Sequence, residues 1–132
     1  MKRFFDTNIL VYAFLDIDKR AMALSLLAEG GVISVQVINE FTNVARKKRG
    51  RAWTEISAAL QVIRAHFDDI ALVTLETHQA ALKLASQHGL SFYDALIIAT
   101  AIEAGCDILF SEDMQHDRSF GTLIIRNPFL IG

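Results

Sequence analysis

A chain of 132 residues that is 52% hydrophobic, with a mean hydropathy of +0.32, has the length of one domain, residues 1–132, and the apolar content of a packed core. That excludes a disordered tail. The formal charge of −2 weighs against the strongly basic class of nucleic-acid binders, although Arg46, Lys47, Lys48, Arg49 and Arg51 place five cations in six positions.

The N-terminus imitates a signal peptide. Met1-Lys2-Arg3 is basic and Ile9 to Leu15 is apolar, but Asp6-Thr7-Asn8 interrupts the run, and Asp16 and Asp18 stand where a cleavage site of small residues belongs. No apolar stretch reaches the roughly 18 residues of a membrane span. The single cysteine, Cys106, can form no internal disulfide, which fits a reducing compartment, and it reads as buried filler. The expectation is a soluble, cytoplasmic protein with no membrane partner.

In chain order, Lys2 to Phe5 predicts a short buried strand and Ile9 to Phe14 a short helix. Asp16 or Asp18 can cap a helix over Lys19 to Ala28, with Ala21, Leu24 and Ala28 on one face and Gly30-Gly31 at its end. Val32 to Val35 predicts a second strand. A helix from about Gln36 to Lys48 carries Val37, Phe41, Val44 and Lys48 on one stripe and is closed by Gly50. Its last turn holds the cations, where they complement the helix dipole. Thr54 can cap a helix with Ile56, Leu60 and Ile63. Ile70 to Leu75 predicts a third strand, and Glu76 to His88 a helix stopped by Gly89. Ser91 caps Phe92 to Ala104, apolar nearly all round and therefore buried. Ile108 to Phe110 and Leu123 to Ile125 predict the last two strands. Strands alternating with helices argue for a parallel sheet covered on both faces.

Four acids share one address in this pattern. Asp6 follows strand one, Glu40 lies in the helix after strand two, Asp94 opens the buried helix and Asp113 follows strand four. Ligands of open α/β sheets bind beyond the carboxyl ends of the strands. Carboxylates gathered there repel one another unless a cation sits between them, and a hard divalent ion, Mg²⁺ or Mn²⁺, prefers oxygen ligands. One or two such ions would serve phosphodiester chemistry and would offset the negative formal charge toward phosphates.

Each acid has an ordinary reading too. Asp6-Thr7-Asn8 can be an Asx turn or a helix cap. Glu40 can be a solvated helix glutamate, with no cation at pairing distance downstream because its i+3 and i+4 neighbours are Asn43 and Val44. Asp94 sits in a capping-box position after Ser91. Asp113 lies in a polar loop with Glu112 and Asp117 nearby. Asp107 precedes its strand, at the opposite end of the sheet, and reads as solvated. His66, His78, His88 and His116 lack metal-ligand spacing; the first three read as helix-surface residues and the fourth as a candidate phosphate contact.

The four acids together are far more specific than any one. The segments Phe5-Asp6-Thr7-Asn8-Ile9-Leu10, Ser34 through Glu40, Tyr93-Asp94-Ala95-Leu96-Ile97-Ile98-Ala99-Thr100-Ala101, Leu109-Phe110-Ser111-Glu112-Asp113-Met114 and Asn127-Pro128-Phe129 give the chain a pattern that resembles the PIN-domain ribonucleases, especially VapC-type toxins of toxin–antitoxin pairs. The resemblance runs through the whole chain. It implies a PIN-like three-layer α/β/α sandwich around a central parallel sheet of about five strands. It implies a divalent-metal endoribonuclease whose catalytic and metal-binding acids are Asp6, Glu40, Asp94 and Asp113, with Ser111 helping to hold the site and Thr7 and Asn8 flanking it. Gln115-His116-Asp117-Arg118 is more charged than that pattern leads one to expect, so Asp117 competes with Asp113 as fourth acid.

The cations Arg46, Lys47, Lys48, Arg49 and Arg51 then read as an RNA-backbone grip, or as a solvated helix end. Trp53 reads as core or interface, or as a base-stacking ring. Val35, Val37, Ile38, Trp53, Ile56 and Val62 exceed one apolar stripe, so a homodimer is expected, and the resemblance adds an antitoxin protein that places an Arg or Lys among the acids. Two other classes stand beside this reading. One is a catalytically silent PIN-like module binding nucleic acid or protein. The other is a small-molecule phosphohydrolase with Asp6 as nucleophile, disfavoured by Asn8 where such sites want a second acid. The chain has no glycine-rich phosphate loop.

Overall fold

The structure, a computed structural model, describes residues 1–130. Strand β1 (Arg3–Phe5) leads into helix α1 (Thr7–Leu15), followed by α2 (Arg20–Ala28), β2 (Ile33–Ser34) and α3 (Val35–Asn43). A π-helical turn, Val44–Lys48, extends α3 to the cations. Then come α4 (Trp53–His66), β3 (Ile70–Ala71), α5 (Leu75–His88), α6 (Phe92–Glu103), β4 (Ile108–Phe110), β5 (Ser119–Phe120) and β6 (Leu123–Arg126).

β1 pairs parallel with β4, β4 parallel with β6, and β6 antiparallel with β5. On the other side of β1, Val32 makes two backbone hydrogen bonds, from Phe5 N–H at 3.0 Å and to the Arg3 carbonyl at 2.8 Å. These join the parallel pair β2–β3 to the larger sheet. Strand neighbours therefore run β3-β2-β1-β4-β6-β5. All five expected strands are present and parallel. The sheet as a whole is mixed, because an unanticipated sixth strand, β5, adds an antiparallel edge.

Successive strand residues point to opposite faces, and Phe4 and Phe5 are both fully buried, so both faces of the sheet are covered, as the α/β/α expectation requires. One core gathers Phe4, Phe5, Ile9, Leu10, Ile33, Phe41, Ile63, Ile98, Leu109 and Ile125, each side chain contributing roughly 1.5–3 kcal/mol by burial. A smaller cluster, Ala81, Ala95, Leu96 and Ala99, seals α5 to α6 with small side chains. Cys106 is buried, and burial pushes its thiol up to about 11. Among the described residues no helix is long and apolar enough to cross a membrane.

Several local expectations are corrected. The inward face of α2 is Ala23 and Leu27, while Ala21, Leu24 and Ala28 face solvent. Asp16 does not cap α2; it accepts from the Asp18 N–H at 2.9 Å and pairs with Arg49. α4 begins at Trp53, where Glu55 reaches back to the Ala52 N–H at 3.1 Å, so Thr54 is not its cap. The third strand is only Ile70–Ala71, because Thr74 accepts from the Thr77 N–H and starts α5. Gly31 is needed for space: a Cβ there would lie 2.4 Å from the Phe5 ring and 2.8 Å from the Arg3 carbonyl oxygen. Gly89 ends α5 at φ +64, a conformation that disfavours side chains.

Candidate active site

The chain leaves β1 at Asp6 and β4 at Ser111, and the Asp6 N–H bonds the Phe110 carbonyl at 2.9 Å. The two strand ends are thereby locked side by side at the carboxyl edge of the sheet. Asp6 is the N-cap of α1: its Oδ1 accepts from the Thr7 N–H at 2.7 Å, and its Oδ2 accepts from the Ser111 hydroxyl at 2.7 Å. The cap reading of Asp6 is therefore correct, and the same carboxylate also faces Ser111 at the carboxyl edge of the sheet.

From Asp6 a hydrogen-bonded chain runs to the next acid. Thr7 donates its hydroxyl to Glu40 Oε2 at 2.9 Å, and Gln36 donates to Glu40 Oε1 at 3.0 Å. Ser34 caps α3 by accepting from the Val37 N–H at 3.1 Å, which fixes the helix carrying Glu40. On the other side, Ser111 Oγ accepts from the Asp113 and Met114 N–H groups, each at 3.3 Å, and so shapes the loop that presents Asp113.

Asp6 is only 6% exposed. Burial raises its carboxyl, the hydrogen bonds from Ser111 and Thr7 pull it back, and the charges of Glu40 and Asp113 raise it again, leaving it at about 6. Glu40 and Asp113 therefore both act on Asp6. Asp94 stands at the first turn of α6, where its N–H bonds Ser91 Oγ at 3.4 Å; among the described residues its carboxylate takes no hydrogen bond. Asp117, at φ +67, is bonded to Arg126 and lies 3.4 Å from His116. Its charge is already answered by Arg126, whereas Asp113 has no ion-pair partner among the described residues. His116 accepts from the Asn127 N–H at 2.9 Å, a structural contact at the end of β6.

The donor chemistry, carboxylates on a buried acid of raised pKa, suits a hard oxygen-binding cation. Among the described residues, however, no three His, Cys, Asp or Glu side chains converge closely enough to hold an ion. Both Asn8 amide atoms are buried without a hydrogen-bond partner.

Sequence reasoning missed two features. Gln36, the partner of Glu40, lies one turn upstream, away from Asn43 and Val44 downstream. Glu112 is not a loose neighbour of Asp113: Tyr12 donates to its Oε1, and Lys19 Nζ lies 2.7 Å from its Oε2 while stacking over the Tyr12 and Phe129 rings. Burial opposes ionisation of Glu112, but the Lys19 and Tyr12 bonds prevail and hold its carboxyl below the usual value. An acid adjacent to Asp113 was the available signal; the spacing from Lys19 to Glu112 carries none.

The cation cluster is divided by the fold. Arg46 lies over the Trp53 ring at 4.8 Å, Arg49 donates to the Leu15 carbonyl at 3.1 Å and pairs with Asp16 at 3.5 Å, and Arg51 pairs with Glu55 at 3.7 Å. Lys47 and Lys48 form no ion pair among the described residues. Trp53 is 57% exposed and so is not core.

The family model for the PIN domain matches residues 3–119. Among solved structures, the chain is similar to a toxin–antitoxin complex from Klebsiella pneumoniae, with 21% identity, 98% of this chain and 100% of that one covered, and a TM-score of 0.74. It is also similar to VapBC2 from Rickettsia felis bound to a DNA fragment from its promoter, with 22% identity, 96% and 98% covered, and a TM-score of 0.70. A third similarity is to VapC20 of Mycobacterium tuberculosis, a Sarcin-Ricin loop cleaving toxin, with 20% identity, 85% and 92% covered, and a TM-score of 0.69. No curated protein matches the chain.

Proposed function

The chain belongs to the PIN domain family, and on that premise we propose that it is a divalent-metal-dependent endoribonuclease that hydrolyses RNA phosphodiester bonds as the toxin of a type II toxin–antitoxin pair in the cytoplasm. The observation that carries this reading is Asp6. It is a buried carboxyl at the carboxyl edge of the sheet, raised to about 6 by burial and then by Glu40 and Asp113, and held by Ser111 and Thr7. A fold that keeps such a group at that edge bears an electrostatic cost that a bound cation would offset.

Asp6, Glu40, Asp94 and Asp113 are the ligands and catalytic acids of this proposal, with Asp113 preferred to Asp117 because Asp117 is engaged by Arg126. Thr7, Asn8 and Ser111 support them. Thr7 and Ser111 fix carboxylate orientation through the bonds already described, and the Asn8 amide lies buried and unpartnered beside Thr7. Mg²⁺ or Mn²⁺, when bound, would neutralise charge at the scissile phosphate and make a water more acidic. The residues themselves hold the carboxylates apart and oriented, and Lys47 and Lys48 attract the RNA backbone.

The partner in control is proposed to be an antitoxin protein, since the structures this chain resembles include toxin–antitoxin complexes. An arginine or lysine of such a protein, set among the four acids, would substitute for the cation. The homodimer is retained on Trp53, Val62 and Val35, which are exposed; Val37 and Ile56 are core residues and Ile38 packs against the core, so they do not contribute to it. One observation favours a second reading, a catalytically silent module: the acids do not converge on a common point. Incubation of purified protein with RNA in Mn²⁺, in Mg²⁺ and in EDTA decides between them. Cleavage that requires metal and is lost in Asp94→Asn supports the nuclease; binding without cleavage in any metal supports the module.

A further inference from the structure

Tyr93 is 62% exposed on the first turn of α6, one residue before Asp94. Its ring packs edge-on against Phe92 at 5.6 Å, and Phe92 lies against His78 at 5.2 Å. The ring is therefore braced while most of it stays open to solvent. Facing it is one side of α3, where Gln36, Asn39, Glu40 and Asn43 fall at the i, i+3, i+4 and i+7 positions. These four residues and Tyr93 line an open cleft of about 400 Å³.

The lining chemistry narrows the occupant. Three of the five residues are carboxamides, each carrying donors and an acceptor on one small plane. Gln36 commits one bond to Glu40, while Asn39 and Asn43 stand exposed at the cleft wall. The only formal charge in the lining is the Glu40 carboxylate, so a phosphate would be repelled. A neutral, flat group with donors and acceptors along its edge fits: an aromatic ring to stack on, and amides to pair with. An unstacked nucleobase of a single strand has that description.

We propose that the cleft between α3 and α6 is a nucleobase subsite, in which a base of single-stranded RNA stacks on Tyr93 and presents its edge to Asn39 and Asn43. Its position against Glu40 makes it the base next to the scissile phosphate. Carboxamides pair bidentately with adenine, so adenine is the preferred base. The inference rests on the reading of this chain as an RNA nuclease, and it supplies that reading with a source of sequence selectivity that the acids cannot provide.

The test is binding, measured apart from cleavage. Fluorescence anisotropy in EDTA compares labelled single-stranded RNAs that carry each of the four bases, or an abasic ribose, at one position. Wild type should prefer adenine and bind the abasic strand about tenfold more weakly, the loss of one base–aromatic stack. Tyr93→Ala should bind base-bearing and abasic strands alike, and Tyr93→Phe should restore the difference. Asn39→Ala with Asn43→Ala should bring the four bases together. These side chains are exposed or half-buried, so thermal melts should not move. Equal binding of all bases and the abasic strand by wild type overturns the subsite, whether or not the protein cleaves RNA. Base-dependent binding that survives Tyr93→Ala overturns it too. Tyr93-dependent base preference in a protein that never cleaves RNA with Mn²⁺ keeps the subsite and removes the nuclease reading. Absence of any RNA binding, both in EDTA and with Ca²⁺ in its place, removes both.

Discussion

Ser111 donates its hydroxyl to Asp6 at 2.7 Å across 105 positions of sequence. That one bond ties the end of β4 to the end of β1, and the same oxygen accepts two loop N–H groups. Ser111→Ala would strand a buried carboxylate oxygen and release the Asp113 loop. The expected loss is about 1–3 kcal/mol of folding stability, with the Asp6 carboxyl moving further up. Urea unfolding measures it, and an unchanged midpoint would refute the role given to this hydroxyl.

Asp6→Asn should stabilise the metal-free protein at neutral pH while ending RNA cleavage. The folded carboxyl stands at about 6 against an ordinary 3.8, so the folded state binds the proton more tightly than the unfolded chain does. Stability from this group is complete below about pH 4 and is lost as pH rises toward 6. Ionised Asp6 then costs on the order of 3 kcal/mol. Melts of both proteins from pH 4 to 7.5 should show the mutant's advantage grow with pH. Mn²⁺ should raise the melting temperature of wild type more than that of the mutant; equal gains would sink the metal assignment.

Lys47 and Lys48, which of the five clustered cations have neither an ion pair nor an aromatic ring as partner among the described residues, should carry the contact with RNA backbone. Replacing both with Ser should lower the slope of log K against log salt by roughly 1.4, about 0.7 per single-strand phosphate contact. Extending the change to Arg46 and Arg49 should weaken binding further, but part of that effect would be structural, because Arg49 holds the end of α1. A salt slope that stays at the wild-type value in the double mutant would leave the cluster as a solvated helix end.

Trp53 and Val62 stand 57% and 55% exposed along α4. They point to opposite sides of that helix, nine residues apart; if either side is a dimer contact, light scattering after gel filtration at micromolar concentration should give about twice 14.7 kDa, and Trp53→Asp with Val62→Asp should halve it. A wild-type mass of one chain that does not change with dilution would exclude the dimer.

Glu112 should act by holding the loop before Asp113. Glu112→Gln weakens the bond to Lys19 while keeping the shape, so the Asp113 and Met114 amides should exchange hydrogen faster and Mn²⁺ affinity should fall, with global stability nearly intact. Unaltered exchange at both amides would show that Ser111 alone fixes the loop.

The sequence by itself determined the five parallel strands, because buried strands such as Phe4-Phe5 and Ile108–Phe110 are continuous apolar runs that helix periodicity does not explain. It also marked the acids, since Asp6 after two core phenylalanines is a conflict that only a cap or a ligand resolves. Helix caps misled for two reasons: Glu55 serves Ala52 from the usual third position although the N-cap itself carries no hydroxyl, and Asp16 turns instead to Asp18 and Arg49. β5 was invisible because two residues, Ser119-Phe120, have no period, and they become a strand only when β6 supplies backbone partners. Tertiary structure alone decided which acids share charge. Glu40 meets Asp6 through Thr7, Asp117 is drawn off to Arg126, and Glu112 is held by a lysine 93 positions away. Sequence spacing reports neighbours along one helix or strand. Distances between elements are set by how the Phe4, Phe5 and Leu109 core closes, and that is where the electrostatics of the site is fixed.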